Sequence, residues 1–378
     1  MRRVCYVSGT RADFGLLRRT LELAQASGRL AVCVCVTGMH LSPAFGDTAR
    51  EVEASGLSIC ARIPVDVEAC TGAAMAVAVG RQLIEMTALF ERQRPDLVMV
   101  LGDRGEMLAG AVAALHLNIP IVHVHGGERS GTVDEPIRHA ISKLAHYHFV
   151  ATAGARDRLI RMGERAEHVF VTGAPGLDGL RELATKSRTD LCLELQLDPA
   201  RPLALVICHP VVQEADQAEV QAEAVVQAVL DAGLQALCFL PNADAGGLLV
   251  RDALERRRGD PRVRLVTHLL RPDFVSWLAA ADVMVGNSSA GIIEAATFGL
   301  PVVNVGSRQR DRERSANVLD VPAIDAARIG AAIAASLGRP RDDRAPNVYG
   351  DGGAGPRIVD LLATLPLGGA VLAKASAY

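Results

Sequence analysis

The sequence predicts an α/β protein built from two doubly wound, parallel-sheet domains. Three observations carry the prediction. Apolar runs of strand length are continuous rather than alternating, as in strands covered by helices on both faces. They come in two series, separated by a looser stretch around residues 173–193. Nearly every run stops at Gly or Pro followed by a charged or hydroxyl residue, which places polar chemistry at the carboxyl ends of strands. At 378 residues the chain is long for one core and suits two.

In chain order, the first strand is VCYVSGT (4–10), followed by a helical pattern over 16–27 and a second strand, AVCVCVTG (31–38). DLVMVLGD (96–103), IPIVHVHGGE (119–128) and YHFVAT (147–152) continue the plan, with helices over 107–117 and 136–146 between them. A second series opens with PLALVICHP (202–210) and runs through LQALCFLPN (234–242), VRLVTH (263–268), ADVMVGNSS (281–289) and LPVVNVG (300–306). These series divide the chain into residues 1–175 and 176–378, with the last helix, about 356–365, expected to pack back on the first domain. No internal repeat beyond the β-α rhythm is present.

Composition narrows the classes. Hydrophobic residues make up 49%, charged residues 22% and aromatics 3%, and the net charge of −3 has mixed signs, so neither a nucleic-acid nor a membrane-adsorbing surface is expected. Charged residues or His interrupt every apolar run before the ~18 residues of a membrane span. The start, MRRVCYVSGTRADFG, breaks into polar residues too early for a signal sequence. Eight scattered cysteines without a CxxC read as reduced thiols in a cytoplasmic protein.

The strongest chemical signal is VMVGNSSAGIIEAATFGLPVVNVGSRQRDRE. A strand ends in Gly286-Asn287-Ser288-Ser289 and enters a helix whose first amides lack intrahelical acceptors. Those donors and two hydroxyls suit a phosphate. Glu294 is placed to accept from ribose hydroxyls, and Arg308 and Arg312 supply fixed charge for a diphosphate. An ordinary Ser N-cap explains one serine but not the whole set. SGTRADFG (8–15) brings Arg11 to a helix start, where a capping role for Thr10 or Asp13 fits equally well. His209 fits a ligand-facing histidine or one satisfied beside its proline turn.

Asp103 and Glu128 end two consecutive strands, and Asp134 and Glu135 precede Pro136 at a helix start. One acid at a helix start is ordinary dipole pairing; acids at two strand ends plus a third on the next loop point to proton transfer. His123 and His125 share a strand face, but no third ligand has diagnostic spacing, so no metal is expected. GDGGAG (350–355) satisfies GxGxxG yet follows a turn instead of a strand, so no dinucleotide cofactor is expected either.

Taken together, SGTRADFGLL, PDLVMVLGDR, HGGERSGTVDEPIRHAISKLAHYHF, GAPGLD, CHPV, VGNSSAGIIEAATFGLPVVNVGSRQRDRE and PNVYGDGGAG resemble the hydrolysing UDP-N-acetylglucosamine 2-epimerases that supply N-acetylmannosamine or related sugars for sialic- and legionaminic-type acids. The resemblance runs in order over nearly the whole chain. It implies a GT-B-like pair of Rossmann domains with the active site in the cleft between them, and a homodimer or homotetramer. It implies catalytic carboxylates at Asp103, Glu128 and Asp134. Nucleotide and diphosphate contacts are implied at Arg11, His209, Ser288, Ser289, Glu294 and Arg308. Asp134-Glu135 departs from the frequent Asp-Asp pair. The implied substrate is a UDP-sugar, UDP-N-acetylglucosamine or a 2,4-diacetamido-trideoxy analogue. Carbon 2 of such a sugar lies beside an acetal, so its hydrogen is scarcely acidic; without NAD, inversion there requires loss of UDP to a glycal and rehydration. The alternatives are a non-hydrolysing epimerase, which returns UDP-sugar, a GT-B glycosyltransferase, for which the acids are surplus, and a catalytically silent sugar-nucleotide sensor.

Overall fold

Runs such as LVMVL, LALVI and QALCF are buried along their whole length, because each is flanked by strands and covered by helices. A computed structural model describes residues 1–377. In the first half, β1 (Arg2–Ser8), β2 (Leu30–Thr37), β3 (Ser58–Ile63), β4 (Leu97–Leu101), β5 (Ile121–Val124), β6 (Tyr147–Val150) and β7 (Val169–Val171) make one sheet. In the second, β8 (Leu203–Ile207), β9 (Gln235–Phe239), β10 (Val263–Val266), β11 (Val283–Gly286), β12 (Val302–Val305) and β13 (Val318–Val321) make another. Their orders are β3-β2-β1-β4-β5-β6-β7 and β10-β9-β8-β11-β12-β13, and neighbouring strands are parallel throughout.

Each sheet starts in its middle, winds outward, then crosses to the other side. The reversal falls between β1 and β4 in the first sheet and between β8 and β11 in the second. Helices leave these neighbouring strands toward opposite faces, so a crevice opens at their carboxyl ends. Residues 9–11, 102–104, 208–209 and 286–289 sit at these two switch points.

The edge strands β3, β7 and β13 are absent from the sequence reading. β7 is three residues long, and Arg62 and Asp320 interrupt β3 and β13, so none gives a continuous apolar run. The helix Gly72–Gln93 also corrects an expectation: by length and composition alone it matches a membrane span. It instead lays Ala78, Met86, Leu89 and Phe90 against the first domain, while Val77 and Ile84 face outward.

Ala354, Ile358 and Leu362 of the helix Ala354–Thr364 share one core with Leu17 and Leu21 of the helix Arg11–Ala26. Asp178 fixes the start of that last helix, accepting from the Ala354 and Gly355 amides at 2.9 and 2.5 Å. The GDGGAG segment is the turn through which the chain returns: Gly350 and Gly352 have φ of 133° and 78°. Leu177 and Leu180, on either side of Asp178, pack into the second core, which also holds Tyr349.

Candidate active site

β1 stops at Ser8 because the chain turns directly into a helix. Thr10 and Asp13 form a capping box there: Thr10 Oγ1 accepts from the Asp13 amide at 3.2 Å, and Asp13 accepts from the Thr10 amide at 2.7 Å. Tyr6 and Ser8 hydroxyls also donate to Asp13, which is buried. This box consumes Thr10 and Asp13 and leaves Arg11 on the first turn, its guanidinium against His268 of the second domain. His268 in turn meets Glu51 at 2.7 Å.

β4 ends at Gly102-Asp103. His123 holds this turn from below: its Nε2 donates to the Gly102 carbonyl at 2.7 Å and its Nδ1 accepts from the Ser142 hydroxyl at 3.0 Å. Burial pushes its imidazole down to about 3, so it stays neutral. The Asp103 carboxylate ion-pairs with Arg138, a guanidinium only 1% exposed. Arg138 also donates to the Glu128 carbonyl at 3.1 Å.

β5 ends in a tight loop, with φ of 60° at His125 and 74° at Gly127. A Cβ at Gly127 would lie 2.5 Å from the Ala155 carbonyl oxygen. The loop turns Glu128 inward, to His125 Nδ1 at 2.5 Å and Arg312 at 2.9 Å. Burial alone would raise this carboxyl, but Arg312 and His125 outweigh it and hold it below the ordinary carboxylate range. Asp134 opens the helix Asp134–Leu144 and lies 3.6 Å from Arg308. Glu135 points away, accepting from the Ser130 amide at 2.7 Å and facing Arg129 and His139.

In the second domain, His209 and Asn287 close the switch point reciprocally. The His209 amide donates to Asn287 Oδ1 at 2.7 Å, and Asn287 Nδ2 donates to the His209 carbonyl at 2.8 Å. Gly286 has φ of 137°, and a Cβ there would lie 2.1 Å from the Ile207 carbonyl oxygen. Ser288 caps the helix Ser289–Ile293 through the Ala290 amide at 3.3 Å. Burial, and then the Arg308 charge, push His209 down to about 3.

These elements enclose one cavity of about 280 Å³ between the domains. Arg11, Asp103 and Asp134 line it from one side, and His209, Ser288, Ser289, Glu294 and Arg308 from the other. Four expected residues are not on its wall. Gly286 and Asn287 lie beneath the serines, where the asparagine amide is spent on His209. Arg312, expected to supply charge for a diphosphate, is the ion partner of Glu128, and both are almost fully buried. Glu294 reaches the cavity but pairs with Arg271, and the helix expected to carry it ends at Ile293, because a 3₁₀ turn, Ala295–Phe298, follows.

Several lining residues were not anticipated. Arg104 bridges the domains to Asp244 at 3.4 Å and meets Glu106 at 2.9 Å. Arg271, and the edge-to-face pair Phe239 and Phe274 with centroids 5.6 Å apart, line the second-domain end. Arg104 directly follows Asp103, a signal open to a closer reading. Phe239, Arg271 and Phe274 carry no local signal, because helix and strand packing alone accounts for them in sequence.

Two Rossmann domains facing each other across a polar, arginine-bearing cleft define a GT-B-like α/β protein. The profile of the family described as UDP-N-acetylglucosamine 2-epimerase matches residues 22–363, and the chain belongs to that family. It is 50% identical, over the full length of both chains, to the UDP-N,N'-diacetylbacillosamine 2-epimerase (hydrolyzing) of Legionella pneumophila. It is 33% identical, over 84% of each chain, to the GDP/UDP-N,N'-diacetylbacillosamine 2-epimerase (hydrolyzing) of Campylobacter jejuni. The crystal structure of the Neisseria meningitidis UDP-GlcNAc 2-epimerase bound to UDP-GlcNAc superposes with a TM-score of 0.80, covering 95% of this chain and 99% of that one. At 18% identity that likeness is one of fold.

Proposed function

We propose that this chain is a hydrolysing 2-epimerase converting UDP-N,N'-diacetylbacillosamine to UDP and the free 2-epimer, 2,4-diacetamido-2,4,6-trideoxymannose. Identity of 50% along the whole Legionella enzyme supports this sugar over UDP-N-acetylglucosamine. The apolar side chains of Met39, Phe45 and Leu101 on the first-domain wall suit a sugar whose carbon 6 is a methyl group.

One observation carries the mechanism: Asp103 and Asp134 share a cavity with Arg308, His209, Ser288 and Ser289. A carboxylate of the first domain takes the C2 proton as the C1–O bond breaks and its electron pair leaves with UDP. Arg308 and the serine turn stabilise the departing diphosphate, where charge develops. The glycal then gains a proton at C2 from the opposite face and water oxygen at C1. Net, one water is consumed and one UDP released. Glu128 serves as the third acid once its ion pair with Arg312 opens, a step tied to domain separation because Arg312 belongs to the other domain. Phe239 and Phe274 border the nucleotide end, where the base stacks.

Turnover in deuterated water tests this: deuterium at C2 of the product and stoichiometric UDP are expected. Protium at C2 refutes the elimination, and UDP-sugar as the only product returns the non-hydrolysing alternative. A higher kcat/KM for UDP-N-acetylglucosamine than for the diacetamido substrate refutes the sugar assignment. Eight unpaired cysteines support a cytoplasmic location. The outward Val77 and Ile84 of the helix Gly72–Gln93 support homo-oligomerisation through that face, which sedimentation of wild type against Ile84→Glu tests.

A further inference from the structure

Three of the eight cysteines meet at a place the reaction does not use. Cys5 of β1 and Cys33 of β2 are register partners. The β2–β3 ladder slips beside them: Val34 pairs with Ile59 and Cys35 with Ala61, leaving Cys60 as the extra residue of a bulge. The bulge re-aims that side chain, and the Cys5, Cys33 and Cys60 sulfurs all lie within 4.8 Å of one another, with Cys5 and Cys60 at 3.8 Å. They occupy the apolar layer of Val7, Ile63, Met86 and Phe90. Cys5 is buried, whereas Cys33 and Cys60 are half-buried, which leaves an approach from solvent.

We propose that Cys5, Cys33 and Cys60 form a three-sulfur site for a single thiophilic cation of the zinc(II) or copper(I) class. Sulfurs ~2.3 Å from a common ion stand ~3.8 Å apart in tetrahedral and ~4.0 Å apart in trigonal geometry, so the observed separations need only small side-chain movement. Thiolates are the ligands such ions prefer. A thiol cluster among apolar side chains otherwise has only weak S–H donors to satisfy it. Binding replaces the thiol protons, released to solvent, by metal–sulfur bonds, and no oxidant is needed. An occupied site ties edge strand β3 through β2 to β1, whose carboxyl end leads to Thr10 and Arg11.

The test is titration of the reduced, metal-free, full-length protein with cadmium(II), read by thiolate-to-metal absorption in the near ultraviolet. Zinc(II) and copper(I) competition arms then rank the ions. One tight equivalent is expected, weakened about 100-fold or more in Cys33→Ser and unchanged in Cys238→Ser of the second domain. Because Cys33→Ser risks misfolding, alkylation of the wild-type protein is mapped with and without zinc(II): protection of Cys33 and Cys60 by about tenfold or more is expected. Absence of a cadmium equivalent, wild-type binding by folded Cys33→Ser, or equal alkylation in both arms overturns the proposal.

Discussion

Replacing Arg138 by methionine separates the positioning of Asp103 from its chemistry. The guanidinium is 1% exposed and faces a carboxylate that is 20% exposed. It also donates to the Glu128 carbonyl at 3.1 Å and lies 3.4 Å from the Ser130 hydroxyl. Removing one partner of a buried ion pair costs about 3–5 kcal/mol, because the other charge is left uncompensated. Two features reduce this. Asp103 keeps some solvent contact. Arg138 is itself disfavoured, held well below its ordinary pKa by burial and then by Arg312 and Arg308. A net loss of about 2–3 kcal/mol is expected, or roughly 4–12 °C for a domain of this size. Methionine fills the space, so the strands stay in place while the Asp103 carboxylate loses its anchor. Misplacement of this kind costs about 100-fold in kcat, and KM should change far less, since the proposed diphosphate contacts lie in the other domain. Steady-state kinetics with the UDP-diacetamido sugar, combined with calorimetry, read both effects. A cycle with Asp103→Asn completes the assay: the kcat losses of the two single variants should overlap, not add. Fully additive losses, or a variant with wild-type kcat, would refute the positioning of Asp103 by Arg138.

Other perturbations follow from the same geometry. His123 and His209 sit near 3, well below the ordinary 6.5, so the unfolded chain binds the extra protons; stability is full above about 6.5 and declines toward pH 3, by roughly 1.4 kcal/mol per pH unit for each group. Denaturant midpoints between pH 7 and 4 check the slope, and His123→Asn should flatten it. Gly286→Ala forces a methyl to within 2.1 Å of the Ile207 carbonyl at a φ of 137°, and should remove about 3 kcal/mol or more, seen as loss of soluble protein or of the cooperative transition. Asn287→Ala breaks the reciprocal amide link to His209, and kcat/KM should fall about 10- to 100-fold while thermal stability drops modestly. Arg308→Met removes the proposed charged partner of the diphosphate and should cost about 100-fold or more in kcat/KM, read by initial rates at subsaturating substrate.

The sequence by itself determined the architecture and which strand-end residues reach the cleft. Continuous Val/Leu/Ile runs specify buried parallel strands wherever they occur, so the central strands of both sheets and the residues at their carboxyl ends were legible. Asp103, His209, Ser288 and Ser289 fall in the cleft because a doubly wound sheet leaves no other place for residues that end strands at its switch point. The sequence left a capping role for Thr10 or Asp13 even with a ligand role; the structure resolves both into a capping box. Edge strands such as β7 were not, because a short strand open on one side carries little apolar signal.

Only the tertiary structure decided how the charges pair. Whether Arg312 holds a phosphate or neutralises Glu128, whether Glu294 is free or bound to Arg271, and whether Asn287 faces a ligand or staples His209 all depend on contacts between distant segments. The turns after β12 set where Arg308 and Arg312 land, and no local pattern encodes a distance across the cleft. The convergence of Cys5, Cys33 and Cys60 is of the same kind: strand order places the first two side by side, and a one-residue bulge brings in the third. Local propensity fixes which residues end a strand; long-range register and burial fix which partner each one meets.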